Sequence, residues 1–245
     1  IESIVIDVDQ NDEKSVSFAS LPVDQLKSMQ RETVVDRLLE GGVWPYIRSF
    51  PFNNIPDPDL VPPAIYVTVD NDEPYLPQSS VYLDGNEDEF LYGLEILKKL
   101  SDQVYVGKSS MNSKISSKLQ SSITHELEGH YPANSPGVFM YHQKTSADLN
   151  SSWYIKGQDV LMLASLFING QYPIDRMFVL AGSLAKLPSH YLGRIGVAVA
   201  DIAGGPVIDN ARYVSGGVLT GRKTTFDGYL GFYESALHVL PEGFD

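Results

Sequence analysis

Short β-branched apolar runs alternate with helix-length amphipathic segments through the first two-thirds of the chain. This alternation constrains the fold more than any other feature. PPAIYVTV (62–69) reads as a buried strand after a proline-marked loop, and QVYVG (103–107) as a second strand. SSWYIKGQDVLMLASLFINGQYP (151–173) predicts a short strand, a helix from about Gln158 to Ile168, and a stop at Gly170. Arg31 to Glu40 places Val34, Val35, Leu38 and Leu39 on one helical face, and Gly41 sits where a left-handed C-cap belongs. GNEDEFLYGLEILKKLSD (85–102) is the clearest helix. Asn86 can cap it, acids fill its first turn, and Lys98 and Lys99 lie near its end, all favourable to the helix dipole. The opening IESIVIDV reads as a strand, and the serine-rich stretch 109–122 as a loop. Strands separated by helices predict a parallel α/β sheet.

The pattern changes after Pro173. DRMFVLAGSL, HYLGRIG, RYVSGGVL and GYLGFYESALHVL read as short strands broken by glycines, with VAVADIAGG as a short helix between them. A domain boundary is expected near residues 170–175, with a small mixed-sheet domain beyond it. No internal repeat is evident.

Charge narrows the function classes. The formal net charge of -13 and pI near 4.7 oppose nucleic acid, which is held mainly by Lys and Arg, and anionic lipid. The absence of Cys removes a disulfide framework, a thiolate nucleophile and Cys-ligated iron–sulfur clusters, and fits a cytosolic setting. No apolar run approaches the roughly 20 residues that span a bilayer. The chain shows no signal peptide and no initiating Met, so a fragment of a longer protein is expected.

Few motifs carry chemistry. HELEGH (125–130) resembles the zinc-protease HExxH, but Gly129 occupies the position of the second ligand. A helix would turn His130, five residues on, away from His125, so no metal site is expected. VDNDEPYLP (69–77) sets Asp70, Asp72 and Glu73 just past a strand end, where open α/β sheets bind ligands; acids there suit a ribose, a cation or a solvated turn. GGPVIDN and SGGVLTG lack the spacing and the Lys of phosphate loops and read as turns. No nucleophile–base pair stands out.

Several longer segments carry a resemblance: RETVVDRLLEGGVWPYIRSFPFNNIPDPD, GHYPANSPGVFMYHQ, WYIKGQDVLMLASLFINGQYPIDRMFVLAGSL, RYVSGGVLTG and YLGFYESALHVLPEG. Over essentially the whole chain these resemble the A-subunit of the bacterial sodium-translocating NADH:quinone reductases. More distantly the chain is similar to the flavin-binding, NADH-oxidising subunit of respiratory complex I. There, GRGGAGFPT follows a helix, and a strand leads into N-x-D-E-x-E-P; here LLEGGVWPYIRSF and VTVDNDEPY stand in those places. The resemblance implies a three-layer Rossmann-like domain over 21–172 and a β-grasp domain of the soluble-ligand-binding type over 173–245. Residues 1–20 would continue from an N-terminal domain, and the last residues would lead into a C-terminal region.

The same resemblance implies a peripheral subunit on the cytoplasmic side of the bacterial inner membrane. It would bind no redox cofactor of its own and show no redox activity in isolation. FMN, FAD and iron–sulfur would lie in partner subunits, ubiquinone would be the substrate of the complex, and this subunit would serve assembly and quinone access. Two alternatives are a relative of the electron-transport complex C-subunit that has lost its clusters, and a cofactor-free interaction scaffold. Of the glycine-rich stretch only Gly41 and Gly42 persist, with Val43, Trp44 and Tyr46 crowding the place where a backbone would meet flavin, and Arg48 as the nearby cation. The pair is therefore read as a helix stop. The vacated site, with Gly42, Trp44 and Tyr46 facing Asp70, Asp72 and Glu73, is expected either to hold a quinone ring or to be filled as core.

Overall fold

The structure is a computed structural model, and it describes residues 16–111, 114–205 and 208–243. The strand expected at IESIVIDV lies outside the described residues.

The first part of the chain builds a five-stranded sheet in the order β1-β5-β2-β3-β4. Its strands are β1 Arg48–Ser49, β2 Ile65–Thr68, β3 Val104–Ser109, β4 His125–Leu127 and β5 Trp153–Lys156. The four strands from β5 to β4 are parallel, and only the short edge strand β1 runs against them. All of β2 is buried, as a central parallel strand must be when both faces are covered. Ile65 and Val67 face one core, shared with α2 Arg31–Glu40, α4 Glu87–Leu100 and α6 Gly157–Asn169. Tyr66 faces the other, closed by Phe139 and Met140 of α5 Pro136–Gln143. Short helices α1 Val23–Ser28 and α3 Ser79–Tyr82 complete this unit.

The second sheet has the order β7-β6-β10-β8-β9. Its strands are β6 Asp175–Ala181, β7 Ser189–Arg194, β8 Ala211–Ser215, β9 Arg222–Thr224 and β10 Ala236–Pro241. The central pair β6 and β10 is parallel and the other pairings are antiparallel, which is the β-grasp arrangement of two hairpins around a parallel pair. Helix α7 Val199–Ala203 covers one face through Val199 and Ile202. The opposite face, with Val179, Ala181 and Ala236, packs on Leu76 of the first unit.

Several local readings shift. Gly41 keeps a right-handed helical conformation, and Gly42 is the left-handed residue, at φ 71°. The Val43 N–H reaches Leu38 O (3.1 Å) and the Gly42 N–H reaches Leu39 O (3.0 Å), the pair of bonds that closes a Schellman motif. The Cβ of any other residue at 41 would run into the Leu166 side chain, so Gly41 lets α2 approach α6. Leu39 is 41% exposed and does not share the buried face of Val34, Val35 and Leu38. Asn86 holds the N-cap position of α4, but its amide donates to Tyr82 O rather than to the helix it starts. In the serine-rich segment a 3-10 turn spans Ser117–Ser122, with the Ser116 hydroxyl accepting from the Lys118 N–H.

Candidate functional site: the carboxyl edge of the first sheet

The chain leaves β2 toward β3 and β4, then crosses back to place β5 on the other side of β2. Strand order therefore reverses between β2 and β5, and the crevice past their carboxyl ends is where such sheets bind ligands. Here the chain's own side chains fill it. The Tyr82 hydroxyl donates to Val69 O at the end of β2. It lies 2.5 Å from where a Cβ on Gly157 would stand, so only glycine fits at the start of α6. Burial pushes the Tyr82 phenol far above its ordinary pKa, keeping it a neutral donor. The space left between Thr68, Val69, Lys156 and Gly157 is about 10 Å³, room for a single water at most, and a larger cavity of about 450 Å³ opens on the far side of Tyr82, Gln158 and Arg176, toward Met162 and Tyr172.

The second unit seals the crevice from above. Arg176 of β6 enters at 3% exposure and pairs with Asp159 of α6, itself buried. Its Nη1 donates to Phe232 O at 2.8 Å, while Nε is buried without a hydrogen-bond partner among the described residues. The Gln158 amide donates to Met177 O at 3.0 Å, which fastens α6 to β6 a second time. The Phe232 ring stacks on Tyr46 at 4.9 Å, and the Tyr233 hydroxyl donates to Pro45 O.

The three acids after β2 come together, each with a different task. Asp70 accepts from the Ser79 hydroxyl (2.5 Å) and the Ser109 N–H (2.8 Å), tying β2 to α3 and β3. Glu73 reaches across the junction to the turn between β8 and β9. There it accepts from the N–H groups of Leu219 (2.7 Å) and Thr220 (3.3 Å) and from the Thr220 hydroxyl. SGGVLTG is thus a turn whose amides bind an anion, and the anion is the protein's own carboxylate. Asp72 stands between them, and one of its oxygens, Oδ1, lacks a hydrogen-bond partner. Burial raises its pKa to about 6, against a hydrogen bond from the Asn134 backbone. Two cavities flank this segment, one of about 390 Å³ beside Asp70, Glu73 and Tyr75, the other of about 220 Å³ beside Asp72, His130 and Asn134.

Gly42, Trp44 and Tyr46 line neither of these two cavities. Trp44 is 2% exposed, meets Trp153 edge-on at 5.6 Å and donates its indole N–H to Pro56 O. Tyr46 is 1% exposed, with the Arg176 guanidinium 5.7 Å from its ring centroid; burial raises its pKa. A Cβ on Gly42 would press on the Tyr172 ring at 3.3 Å. A flavin seated in the crevice between β2 and β5 would have to displace Tyr82, Tyr46 and the Arg176–Asp159 pair. His125 lies on strand β4, not on a helix, with its ring edge-on to Tyr105 and Phe139; His130 follows Gly129, which adopts φ 125°. Among the described residues no group of three or more His, Cys, Asp or Glu is placed to hold a metal ion.

Sequence reasoning missed Arg176, Asp159 and Tyr82. The legible signal was an arginine inside the apolar run DRMFVLA, since a charge in a strand core requires a buried partner.

The profile of a protein family described as NqrA second alpha/beta domain matches residues 29–172. The chain belongs to the NqrA family. It is 32% identical, over 99% of its length, to the A-subunit of the Na(+)-translocating NADH-quinone reductase of Pseudomonas aeruginosa strain UCBPP-PA14, covering 54% of that protein. It is also 32% identical to the same subunit of Vibrio atlanticus strain LGP32, over 100% of this chain and 55% of the relative. The chain thus spans about half the length of the curated relatives it matches. Among solved structures, an NAD+-reducing [NiFe]-hydrogenase in its H2-reduced state superposes with a TM-score of 0.56 at 12% identity, covering 91% of this chain and 51% of that one. That likeness shows a shared fold. Among the described residues no helix is long and apolar enough to cross a membrane.

Proposed function

We propose that this chain is part of the A-subunit of a sodium-translocating NADH:quinone reductase and serves the complex as a cofactor-free structural component. The observation that carries the reading is the filled crevice between the carboxyl ends of β2 and β5. In a family member with a dinucleotide-type sheet, the ligand crevice is plugged by Tyr82 and sealed by the Arg176–Asp159 pair. Redox groups, FMN, FAD and iron–sulfur, then belong to partner subunits, and the chain sits peripherally on the cytoplasmic side of the membrane. The two sheets correspond on this reading to domains 21–172 and 173–245, divided near residues 170–175. Quinone access is served through the subunit's position in the assembly. A ring bound among Gly42, Trp44, Tyr46, Asp70, Asp72 and Glu73 would have to displace the Trp44 and Tyr46 side chains from the core.

The test is purification of the full-length subunit from its own membranes under mild detergent. Co-elution with flavin-carrying partners, and recovery of NADH:quinone activity only in that assembly, is expected. A free-standing protein that oxidises NADH with an artificial acceptor would refute the reading. A quinone photo-crosslink that disappears in a folded Trp44→Ala variant would instead place the ring in the aromatic core.

A further inference from the structure

We propose that the loop from Pro51 to Val61 is a preformed docking surface for a protein partner whose contact patch is apolar at its centre and rimmed by Lys or Arg. The proposal rests on the subunit reading above and locates where another member of the complex sits. The loop joins β1 to the start of β2, so it lies at the amino-terminal edge of the first sheet, opposite the sealed junction.

Two properties of this loop do not usually occur together. Its backbone is fastened from within: the Trp44 indole N–H holds Pro56 O (2.8 Å), and Arg31 Nη2 holds Pro58 O (3.0 Å) and Leu60 O (2.6 Å). The Ser49 N–H holds Asn54 O (2.8 Å), and Arg48 holds Asn53 O. Yet it turns its large apolar side chains outward, with Phe52 80%, Ile55 51%, Leu60 59% and Val61 63% exposed. Those bonds fix the backbone of the loop, and with it the directions in which these side chains leave the chain. Apolar groups held outward on a rigid frame lose little conformational freedom when covered, which is what a docking surface requires.

Charge selects the occupant. Asp57 and Asp59 lie exposed between Ile55 and Leu60, and the cations that reach the loop, Arg31 and Arg48, are directed at its carbonyls. A second copy of this chain, with net charge -13, would bring acid against acid, and an anionic bilayer would do the same. A partner protein with a basic rim meets both the apolar and the acidic features.

The experiment uses the full-length subunit with membranes from cells lacking it. Binding is titrated for wild type, for Phe52→Ser combined with Leu60→Ser, for Asp57→Lys combined with Asp59→Lys, and for Leu187→Ser as an equally exposed apolar control. Thermal melts verify folding. Wild type and Leu187→Ser should bind alike. The apolar double variant should bind at least about tenfold more weakly. The charge-reversed variant should weaken binding mainly at low salt. Folded loop variants that bind like wild type overturn the proposal while leaving the subunit reading intact. Equal binding of wild type to protein-free anionic vesicles would assign the loop to lipid and overturn it too. So would a loop variant that changes only self-association in sedimentation. Wild type that fails to bind the depleted membranes would sink the subunit reading itself, and the proposal with it.

Discussion

Removing the Glu73 carboxylate should loosen the second unit on the first. Glu73 is nine-tenths buried and accepts three hydrogen bonds from the turn between β8 and β9. Hydrogen bonds to a charged acceptor contribute about 1.5–3 kcal/mol each when measured singly. They are not additive on one carboxylate, and the adjoining cavity of about 390 Å³ lets water reach the orphaned donors. We therefore expect Glu73→Ala to cost about 3 kcal/mol, close to the value of one strong bond plus partial loss of the others. Glu73→Gln keeps a carbonyl acceptor for the two N–H groups and loses mainly the charge, so about 1 kcal/mol is expected. For a chain of 245 residues each kcal/mol shifts the melting point by about 2–4 °C, giving roughly 6–12 °C for Ala and about 3 °C for Gln. Local opening is the sharper readout. Hydrogen exchange at the amides of Leu219 and Thr220 should accelerate by about a hundredfold in Glu73→Ala, while amides of β2 and β5 stay protected. Unchanged exchange at those two amides would show that Glu73 does not hold the turn.

The other perturbations follow the same logic. Asp159→Asn leaves Arg176 buried without its counter-charge and should cost about 3–5 kcal/mol in chemical denaturation. Asp159→Leu with Arg176→Met should recover most of that loss, and a double variant no better than the single would contradict the pairing. Gly42→Ala forces a left-handed φ on a residue with a Cβ and presses on Tyr172; a loss of about 1–2 kcal/mol is expected, and a neutral substitution would deny the helix-stop role. Asp72 has its pKa raised to about 6, so the native state binds its proton more tightly than the unfolded chain does. Its charge therefore destabilises the fold above pH 6 and has no effect below the ordinary value of 3.8. Asp72→Asn should stabilise by roughly 1–2 kcal/mol at pH 8, after discounting for solvent screening, and by nothing near pH 3. A gain equal at both pH values would remove the charge from the explanation.

The helices α2, α4 and α6 and the strands β2, β3 and β5 were legible because each carries a strong local period. Helix α5 was not, since only Phe139 and Met140 of it are buried and little amphipathic pattern remains. The edge strand β9, with sequence RKT, carries no apolar signal at all. The glycine pair announced a helix end, but the register of the left-handed residue depends on how the last turn closes onto Leu38 and Leu39, which no local pattern specifies. The site was half legible. The position of the acids past β2 was readable from strand and turn signals. Their partners were not, because Glu73 meets Leu219 across 146 residues of chain. An acid waiting for a ligand and an acid holding its own backbone look the same in one dimension. The arginine of β6 that seals the crevice could be flagged as anomalous, but its partner Asp159 could be found only in three dimensions.

The claim that the crevice between β2 and β5 is closed to cofactors is tested most directly by flavin stoichiometry. The full-length subunit, purified alone and incubated with excess FMN, is desalted and its visible absorbance compared with its protein content. The filled crevice between β2 and β5 predicts no retained flavin and no bleaching on addition of NADH. One FMN per chain, retained through desalting and reducible by NADH, would contradict the account.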